Sequence, residues 1–134
     1  MKTAVLGAGA WGTTLALVLQ ENNHEVTLWE YKSAYADILR NQRINPDYLP
    51  GIDIPPQMTI TDNLEEATVG KELIVLAVPS QFLRSVMVKI PFDRIRNSYL
   101  VSVSKGIEKG TLLTMSQMLK EVYPELSPGH IVVL

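Results

Sequence analysis

The sequence predicts an α/β fold in which a mostly parallel sheet carries helices on both faces. Short apolar runs of strand length alternate with segments whose apolar residues recur every three or four positions. Such alternation is typical of a doubly wound parallel sheet. Residues 73–78 are apolar at every position, as expected for a strand buried on both faces. A glycine-rich turn joins the first predicted strand to the first predicted helix.

Composition limits the class of protein. A chain of 134 residues with 46% hydrophobic residues predicts one domain over residues 1–134 with a core of its own. The net charge of −2 offers no basic surface to a nucleic acid. Without cysteine, and with two histidines far apart in sequence, we expect neither a disulfide nor a metal site. No apolar run reaches the roughly 18 residues of a membrane span, and no signal peptide is recognised, so we expect a cytoplasmic protein.

The first half of the chain predicts strands over residues 2–6, 25–29 and 58–60, and helices over 11–21, 33–41 and 62–68. Ser33 and Asp62 are expected to cap the second and third helices, because short polar side chains accept hydrogen bonds from first-turn amides.

Residues 43–57 differ from the rest because they contain four prolines and a glycine. Proline lacks a donor and restricts the residue before it, so we predict neither a helix nor an interior strand here, but a structureless loop. A loop of about 15 residues is long enough to suggest a function, with a plain crossover as the alternative.

The second half predicts strands over residues 73–78, 99–103 and 131–134. Ser80 is expected to cap a helix that ends at Pro91. Two sets of residues have the spacing of a core-facing helical stripe: Leu83, Val86, Met87 and Ile90, then Leu112, Met115, Leu119 and Val122. Because the sequence stops inside an apolar run, we expect either a trimmed domain or a last strand at the sheet edge.

The turn after the first strand has the spacing G-x-G-x-x-G, with Gly7, Gly9 and Gly12. In a Rossmann-type fold, the first glycine permits the tight turn, the second leaves room for a pyrophosphate, and the third lets the helix pack closely on the strand. The helix start offers free N–H groups to an anion. The sequence lacks the G-K-[ST] ending of a P-loop, so we predict a dinucleotide site, with a purely structural turn as the alternative.

Other candidate residues follow predicted strands, at the edge where parallel sheets bind ligands. Glu30 ends the second strand and suits the adenosine ribose, which favours NAD over NADP, although Lys32 could meet a 2′-phosphate. Pro79 and Ser80 follow the fourth strand. Lys105 follows the fifth, where a lysine can reach a phosphate or a developing oxyanion. The alternatives are solvated charges and a simple helix cap.

Five stretches carry a more specific pattern: AVLGAGAWGT (4–13), EVTLW (25–29), NPDYLP (45–50), AVPS (77–80) and VSKGIE (103–108). In this order and spacing they resemble the N-terminal half of bacterial NAD(P)-dependent glycerol-3-phosphate dehydrogenases. The resemblance covers essentially the whole chain. The glycines are common to many dehydrogenases, whereas the 48–50 and 104–106 segments make the resemblance specific.

The resemblance implies cofactor contacts for individual residues. Trp11 would contact the dinucleotide, whereas Ala10 stands where the family often has serine, so a hydroxyl contact is lost. Tyr31 and Lys32 would line the adenosine ribose. The family often has histidine or arginine there, so both NAD and NADP stay open, with NAD slightly favoured.

The resemblance also implies what the whole enzyme does. It would interconvert dihydroxyacetone phosphate and sn-glycerol 3-phosphate for glycerophospholipid synthesis. Tyr48 would belong to the cofactor pocket, and Lys105 would lie near both the nicotinamide and the substrate phosphate.

The resemblance further implies that the catalytic lysine belongs to a helical C-terminal domain. We expect the chain to stop before that domain, to contain no catalytic residue, and to be inactive alone. An exposed apolar surface would then favour self-association. The alternatives are the cofactor domain of another two-domain dehydrogenase, of the 6-phosphogluconate or ketopantoate reductase type, and a non-catalytic NAD-binding module.

Overall fold

Eight strands and six helices make up the computed structural model, which describes residues 1–134. The strands are β1 (Lys2–Leu6), β2 (Glu25–Trp29), β3 (Ile44–Asn45), β4 (Leu49–Asp53), β5 (Thr59–Thr61), β6 (Leu73–Leu76), β7 (Tyr99–Ser102) and β8 (Ile131–Val133). The helices are α1 (Ala10–Glu21), α2 (Ser33–Gln42), α3 (Leu64–Thr68), α4 (Ser80–Met87), α5 (Phe92–Ile95) and α6 (Met115–Val122). None of these helices has the length and hydropathy needed to cross a membrane.

Six of the strands form one sheet in the order β5-β2-β1-β6-β7-β8, and every neighbouring pair is parallel. From β1 in the centre, the chain adds β2 and then β5 on one side of the sheet. It then returns to the other side of β1 and adds β6, β7 and β8 in turn. The predicted doubly wound sheet is therefore confirmed. Its strand order reverses between β1 and β6, which is where such sheets bind ligands.

The two faces of the sheet carry separate cores. Along β1, Val5 packs with Ala16 of α1 and Leu39 of α2, while Ala4 and Leu6 point to the opposite face. That opposite core is contributed by α3 to α6. Because neighbouring residues of a strand point to opposite faces, an unbroken apolar strand fills both cores at once. The predicted stripe of Leu83, Val86, Met87 and Ile90 is buried, although α4 ends at Met87 rather than at Pro91, so Ile90 lies beyond the helix.

Residues 43–57 are not structureless, as the sequence analysis expected. β3 and β4 pair as an antiparallel hairpin outside the main sheet, with Asn45 opposite Leu49. An outer hairpin leaves one edge of each strand unpaired, so Pro50 can lie within β4 although it has no N–H to donate. The prediction that this segment contains neither a helix nor an interior strand is confirmed.

The predicted helix caps are wrong. Ser33 and Ser80 are the first residues of α2 and α4 rather than caps, and neither preceding residue caps its helix with a side chain. Asn63, not Asp62, caps α3, because its Oδ1 accepts hydrogen bonds at 2.9 and 3.1 Å from two first-turn N–H groups. A cap has to sit one position before the helix, so a predicted helix start that is wrong by even one residue assigns the cap to the wrong side chain.

Two further differences concern the second half of the chain. Leu112 lies outside α6 with a φ of +59° and is 70% exposed, so it does not belong to the predicted helical stripe. α6 starts at Met115, later than predicted, because Thr114 is its N-cap. Thr114 forms a capping box with Gln117 in the first turn of the helix. The short helix α5, which follows Pro91, was not predicted. Strand ends differ from the predicted ones by at most two residues.

Candidate functional site

A cleft of about 710 Å³ opens at the carboxyl ends of β1, β2 and β6, where the strand order reverses. Its walls come from the glycine turn, the end of β2, the β3–β4 hairpin and the turn that leads into α4. The cleft brings together seven of the predicted site residues: Gly7, Gly9, Glu30, Tyr31, Lys32, Tyr48 and Pro79. Ala10, Trp11, Gly12 and Lys105 do not line it.

The three glycine positions of the turn differ in what a side chain would contact there. Gly7 has a φ of +111°, and a Cβ there would lie 2.8 Å from the carbonyl oxygen of Ala77. A Cβ on Gly12 would lie 1.9 Å from the carbonyl oxygen of Gly7, so Gly12 is needed by the turn itself. Gly9 differs, because a Cβ on it would have no protein atom within 4 Å. The space beside Gly9 belongs to the cleft.

The start of α1 presents unpaired donors. The backbone N–H groups of Ala10, Trp11 and Gly12 have no protein acceptor, and the cap residue Gly9 has no side chain to supply one. The first turn contains no acidic residue. Free N–H groups and the positive end of the helix dipole together favour an anion such as a phosphate. The Trp11 side chain is 56% exposed beside this helix start.

Glu30 lies on the floor of the cleft and is only 6% exposed. Its Oε1 accepts a hydrogen bond of 3.0 Å from the backbone N–H of Lys32. Burial raises the pKa of the Glu30 carboxyl, although the N–H groups of Lys32 and Ala8 partly oppose this rise. A solvated strand-end charge, the alternative considered from the sequence, is therefore wrong. A carboxylate has about four acceptor positions, so Glu30 retains capacity for ribose hydroxyls beside these N–H groups.

Exposed aromatic side chains and a lysine form the rim of the cleft. The Nζ atom of Lys32 lies 5.4 Å from the centroid of the Tyr31 ring, a distance typical of a cation–π contact. Tyr31 and Tyr48 are both more than half exposed. The cleft is thus lined by both an exposed cation and a buried carboxylate, and this combination suits a 2′-phosphate and a 2′-hydroxyl alike.

Asn45 is a site residue that the sequence analysis missed. Its side chain is fully buried, and Nδ2 donates hydrogen bonds of 2.8 Å to the Ala8 carbonyl and to Thr13 Oγ1. Oδ1 accepts bonds from the Tyr35 hydroxyl at 2.5 Å and from the Tyr48 N–H at 3.3 Å. The sequence contained no signal for this role, because an asparagine beside a proline is also typical of an exposed turn.

Lys105 lies at the same edge of the sheet but outside the cleft. The preceding residue, Ser104, is buried and donates hydrogen bonds to the carbonyls of Val78 and, at 3.2 Å, Leu76. These bonds join the turn after β7 to the turn after β6, next to Pro79. The Lys105 side chain itself is exposed. Topology therefore predicted the correct edge of the sheet for Lys105, but not a position in the cleft wall.

The segment after Lys105 is held by polar side chains of α4. Gln81 donates to the Ile107 carbonyl and accepts from the Lys109 N–H, both at 2.9 Å. Arg84 makes three hydrogen bonds of 2.9–3.1 Å to the carboxylate of Glu108. The Arg84 guanidinium lowers the pKa of the Glu108 carboxyl, with a smaller effect from the hydroxyl of Thr111. This side-chain cluster was also missed from the sequence.

Known proteins are similar to this chain in sequence and fold. Residues 2–134 match the family model described as "NAD-dependent glycerol-3-phosphate dehydrogenase N-terminus". A glycerol-3-phosphate dehydrogenase [NAD(P)+] from Myxococcus xanthus is 44% identical over all 134 residues and 40% of its own length. Its counterpart from Corynebacterium glutamicum is 42% identical over the same shares. The chain therefore spans about two fifths of the length of the curated relatives it matches.

Solved structures have the same architecture. Glycerol-3-phosphate dehydrogenase from Coxiella burnetii superposes with a TM-score of 0.78 at 30% identity, over 98% of this chain and 39% of that one. A putative 2-dehydropantoate 2-reductase from Enterococcus faecalis gives a TM-score of 0.67 at 21% identity, over 99% of this chain and 40% of that one. At that identity, the second likeness concerns the fold alone.

Proposed function

Since the chain belongs to the NAD-dependent glycerol-3-phosphate dehydrogenase family and corresponds to its N-terminal part, we propose that residues 1–134 form the dinucleotide-binding domain of such an enzyme. One observation carries the proposal. The free N–H groups at the start of α1 stand beside the open space at Gly9, in the same cleft as the buried Glu30. An anion site next to a ribose acceptor is what a dinucleotide requires.

The cleft and the start of α1 beside it would each hold a different part of NAD or NADP. The N–H groups of Ala10, Trp11 and Gly12 would bind the pyrophosphate, with Gly9 leaving room for it. Glu30 would accept hydrogen bonds from the adenosine ribose.

The rim residues would complete the cofactor site. Tyr31 and Lys32 would flank the adenosine end, with Lys32 able to meet a 2′-phosphate. Tyr48 and Pro79 lie on other walls of the cleft and would contact the dinucleotide from there. The exposed ring of Trp11 would cover the pyrophosphate. On this proposal either cofactor is accepted, with NAD slightly favoured by Glu30.

For the whole enzyme we propose the interconversion of dihydroxyacetone phosphate and sn-glycerol 3-phosphate, the reaction that begins glycerophospholipid synthesis. Reduction would add a hydride to the carbonyl carbon and a proton to its oxygen, and a dinucleotide held in the cleft would supply the hydride. In this chain, Lys105 would attract the substrate phosphate or stabilise negative charge on the carbonyl oxygen. None of the 134 residues is assigned as the proton donor.

Two alternatives were open from the sequence. The family model and the relatives above 40% identity carry the glycerol-3-phosphate dehydrogenase name, so we set aside the 6-phosphogluconate and ketopantoate reductase types. A non-catalytic NAD-binding module shares the cleft and differs only in what the whole protein does. Cytoplasmic location and self-association stay predictions.

The test is a titration of the chain with NADH and NADPH, followed by cofactor fluorescence. We expect saturable binding of both, and no turnover of dihydroxyacetone phosphate by the chain alone. A folded chain that binds neither cofactor at millimolar concentration would contradict the dinucleotide assignment. Turnover by the chain alone would contradict the absence of a proton donor.

A further inference from the structure

Asn45 connects two walls of the cleft that are far apart in sequence. We propose that Asn45 is a positioning residue, which sets the orientation of the glycine-turn amide and of Tyr48 as one unit for dinucleotide binding. The inference rests on the proposed function, because it concerns how that cleft is shaped. Asn45 does not line the cleft, whereas three of the residues around its side chain do: Ala8, Tyr35 and Tyr48.

The hydrogen bonds of Asn45 use the full capacity of its side chain. A primary amide has two N–H donors and two acceptor lone pairs. Nδ2 donates to the Ala8 carbonyl and to Thr13 Oγ1, while Oδ1 accepts from the Tyr35 hydroxyl and the Tyr48 N–H. Serine, aspartate or alanine at this position could not make these four hydrogen bonds, because none of them has both the two donors and the two acceptors that the bonds require. Removing the side chain would leave several buried polar groups unpaired.

The donor side of Asn45 orients the glycine turn. In a trans peptide the C=O and N–H groups point in opposite directions, and this chain has no cis peptide bonds. Holding the Ala8 carbonyl at 2.8 Å therefore turns the Gly9 N–H away from Asn45. That N–H has no protein acceptor, and Ala8 and Gly9 both line the cleft. Asn45 thus directs one more donor toward the place of the pyrophosphate.

The acceptor side of Asn45 fixes the hairpin wall. Its bonds to the Tyr35 hydroxyl and the Tyr48 N–H place the two rings edge to face, with centroids 5.8 Å apart. The Tyr35 hydroxyl also accepts a bond of 3.2 Å from the Asp47 N–H. A two-residue strand such as β3 has few ladder bonds of its own, so these contacts define where Tyr48 stands relative to the glycine turn.

The decisive experiment is a double-mutant cycle on NADH affinity with Asn45→Ala and Tyr48→Ala, measured by cofactor fluorescence. We expect Asn45→Ala to weaken binding about tenfold, since it releases both the Gly9 amide and Tyr48. We also expect Tyr48→Ala to cost less in the Asn45→Ala background than in the wild-type chain. Fully additive effects would show that Asn45 does not act through Tyr48, and would overturn the proposal.

A second variant keeps the proposal testable if Asn45→Ala does not fold. Thr13→Val preserves side-chain volume and removes one acceptor of Asn45, and Thr13 is fully buried outside the cleft. We expect about a fivefold loss of NADH affinity. Thr114→Ala removes the side-chain cap of α6 at a residue that does not line the cleft, so it is the control and should leave affinity unchanged.

Unchanged affinity in Thr13→Val would overturn the positioning role. A loss in Thr114→Ala equal to that in Thr13→Val would also overturn it, because the effect would then follow stability alone. Absence of NADH binding by the wild-type chain would instead overturn the proposed function, so the two failures are distinguishable.

Discussion

Two turns at the carboxyl edge of the sheet are built in opposite ways. Residues 7–12 leave their helix-start N–H groups without protein acceptors and keep open space beside Gly9. Residues 104–111 are bonded to the rest of the protein through Ser104, Gln81 and the Arg84–Glu108 pair. The first turn therefore leaves backbone donors free for a ligand, whereas the second is fixed by side-chain hydrogen bonds and carries the exposed Lys105. A binding turn is recognised by the polar groups it leaves unpaired.

The contrast implies that glycine substitutions in the first turn separate folding from binding. We expect Gly12→Ala to reduce the free energy of unfolding by about 3 kcal/mol or more, because its Cβ would lie 1.9 Å from a backbone oxygen that cannot move freely. Urea denaturation measures this change. Gly129→Ala is the matched control, since its Cβ would meet only a side-chain atom at 3.9 Å. Equal stability of the two variants would contradict the steric role of Gly12.

The carboxylate that lines the cleft, Glu30, and the carboxylate of the second turn, Glu108, also respond to pH in opposite ways. Arg84 lowers the pKa of Glu108 below its ordinary value near 4.5, so the stabilisation that this pair provides is present above that value and is lost as the pH falls through the lowered pKa. Burial raises the pKa of Glu30, so its contribution has the opposite sign and is lost as the pH rises through the raised pKa.

The melting temperature as a function of pH separates the two carboxylates. Glu108→Gln should reduce the fall in melting temperature that the wild-type protein shows as the pH is lowered. Glu30→Gln should instead flatten the decline on raising the pH above about 4.5. The same change of profile in both variants would mean that the two carboxylates have similar environments, and would contradict the opposite pKa shifts of Glu30 and Glu108.

The smallest expected effect concerns the choice of cofactor. Glu30→Ala should lower the ratio of the Kd for NADPH to that for NADH by about fivefold, or roughly 1 kcal/mol, because a carboxylate that repels a 2′-phosphate is removed. Lys32→Ala should change the ratio in the other direction. Fluorescence titrations with both cofactors decide this, and an unchanged ratio in Glu30→Ala would remove Glu30 from cofactor selection.

Local patterns predicted the sheet and the glycine turn well. The β1–α1 turn is encoded by glycines within six positions, and β6 by adjacent apolar residues, so each could be predicted from neighbouring residues alone. Glu30 was found because a strand end has a fixed place in this topology. These features require no knowledge of which distant segments meet.

The missed features all depend on contacts between distant segments. Asn45 bonds to Ala8 across 37 positions, and Arg84 bonds to Glu108 across 24. An asparagine or an arginine has the same local signal whether it is exposed or buried against such a partner. Lys105 was predicted only in part. The topology predicted that Lys105 follows a strand at the carboxyl edge of the sheet, but it could not predict where the side chain lies relative to the cleft.

The central claim is that the open space at Gly9 is the pyrophosphate site of a dinucleotide. The most direct test is NADH titration of the wild-type chain and of Gly9→Val, with circular dichroism as a check on folding. Gly9 has a φ of −71° and no protein atom within 4 Å of its Cβ position, so the variant should fold normally. We predict that Gly9→Val loses at least about tenfold in NADH affinity, because the side chain occupies the phosphate position. Equal affinity in the folded variant and the wild-type chain would contradict the claim.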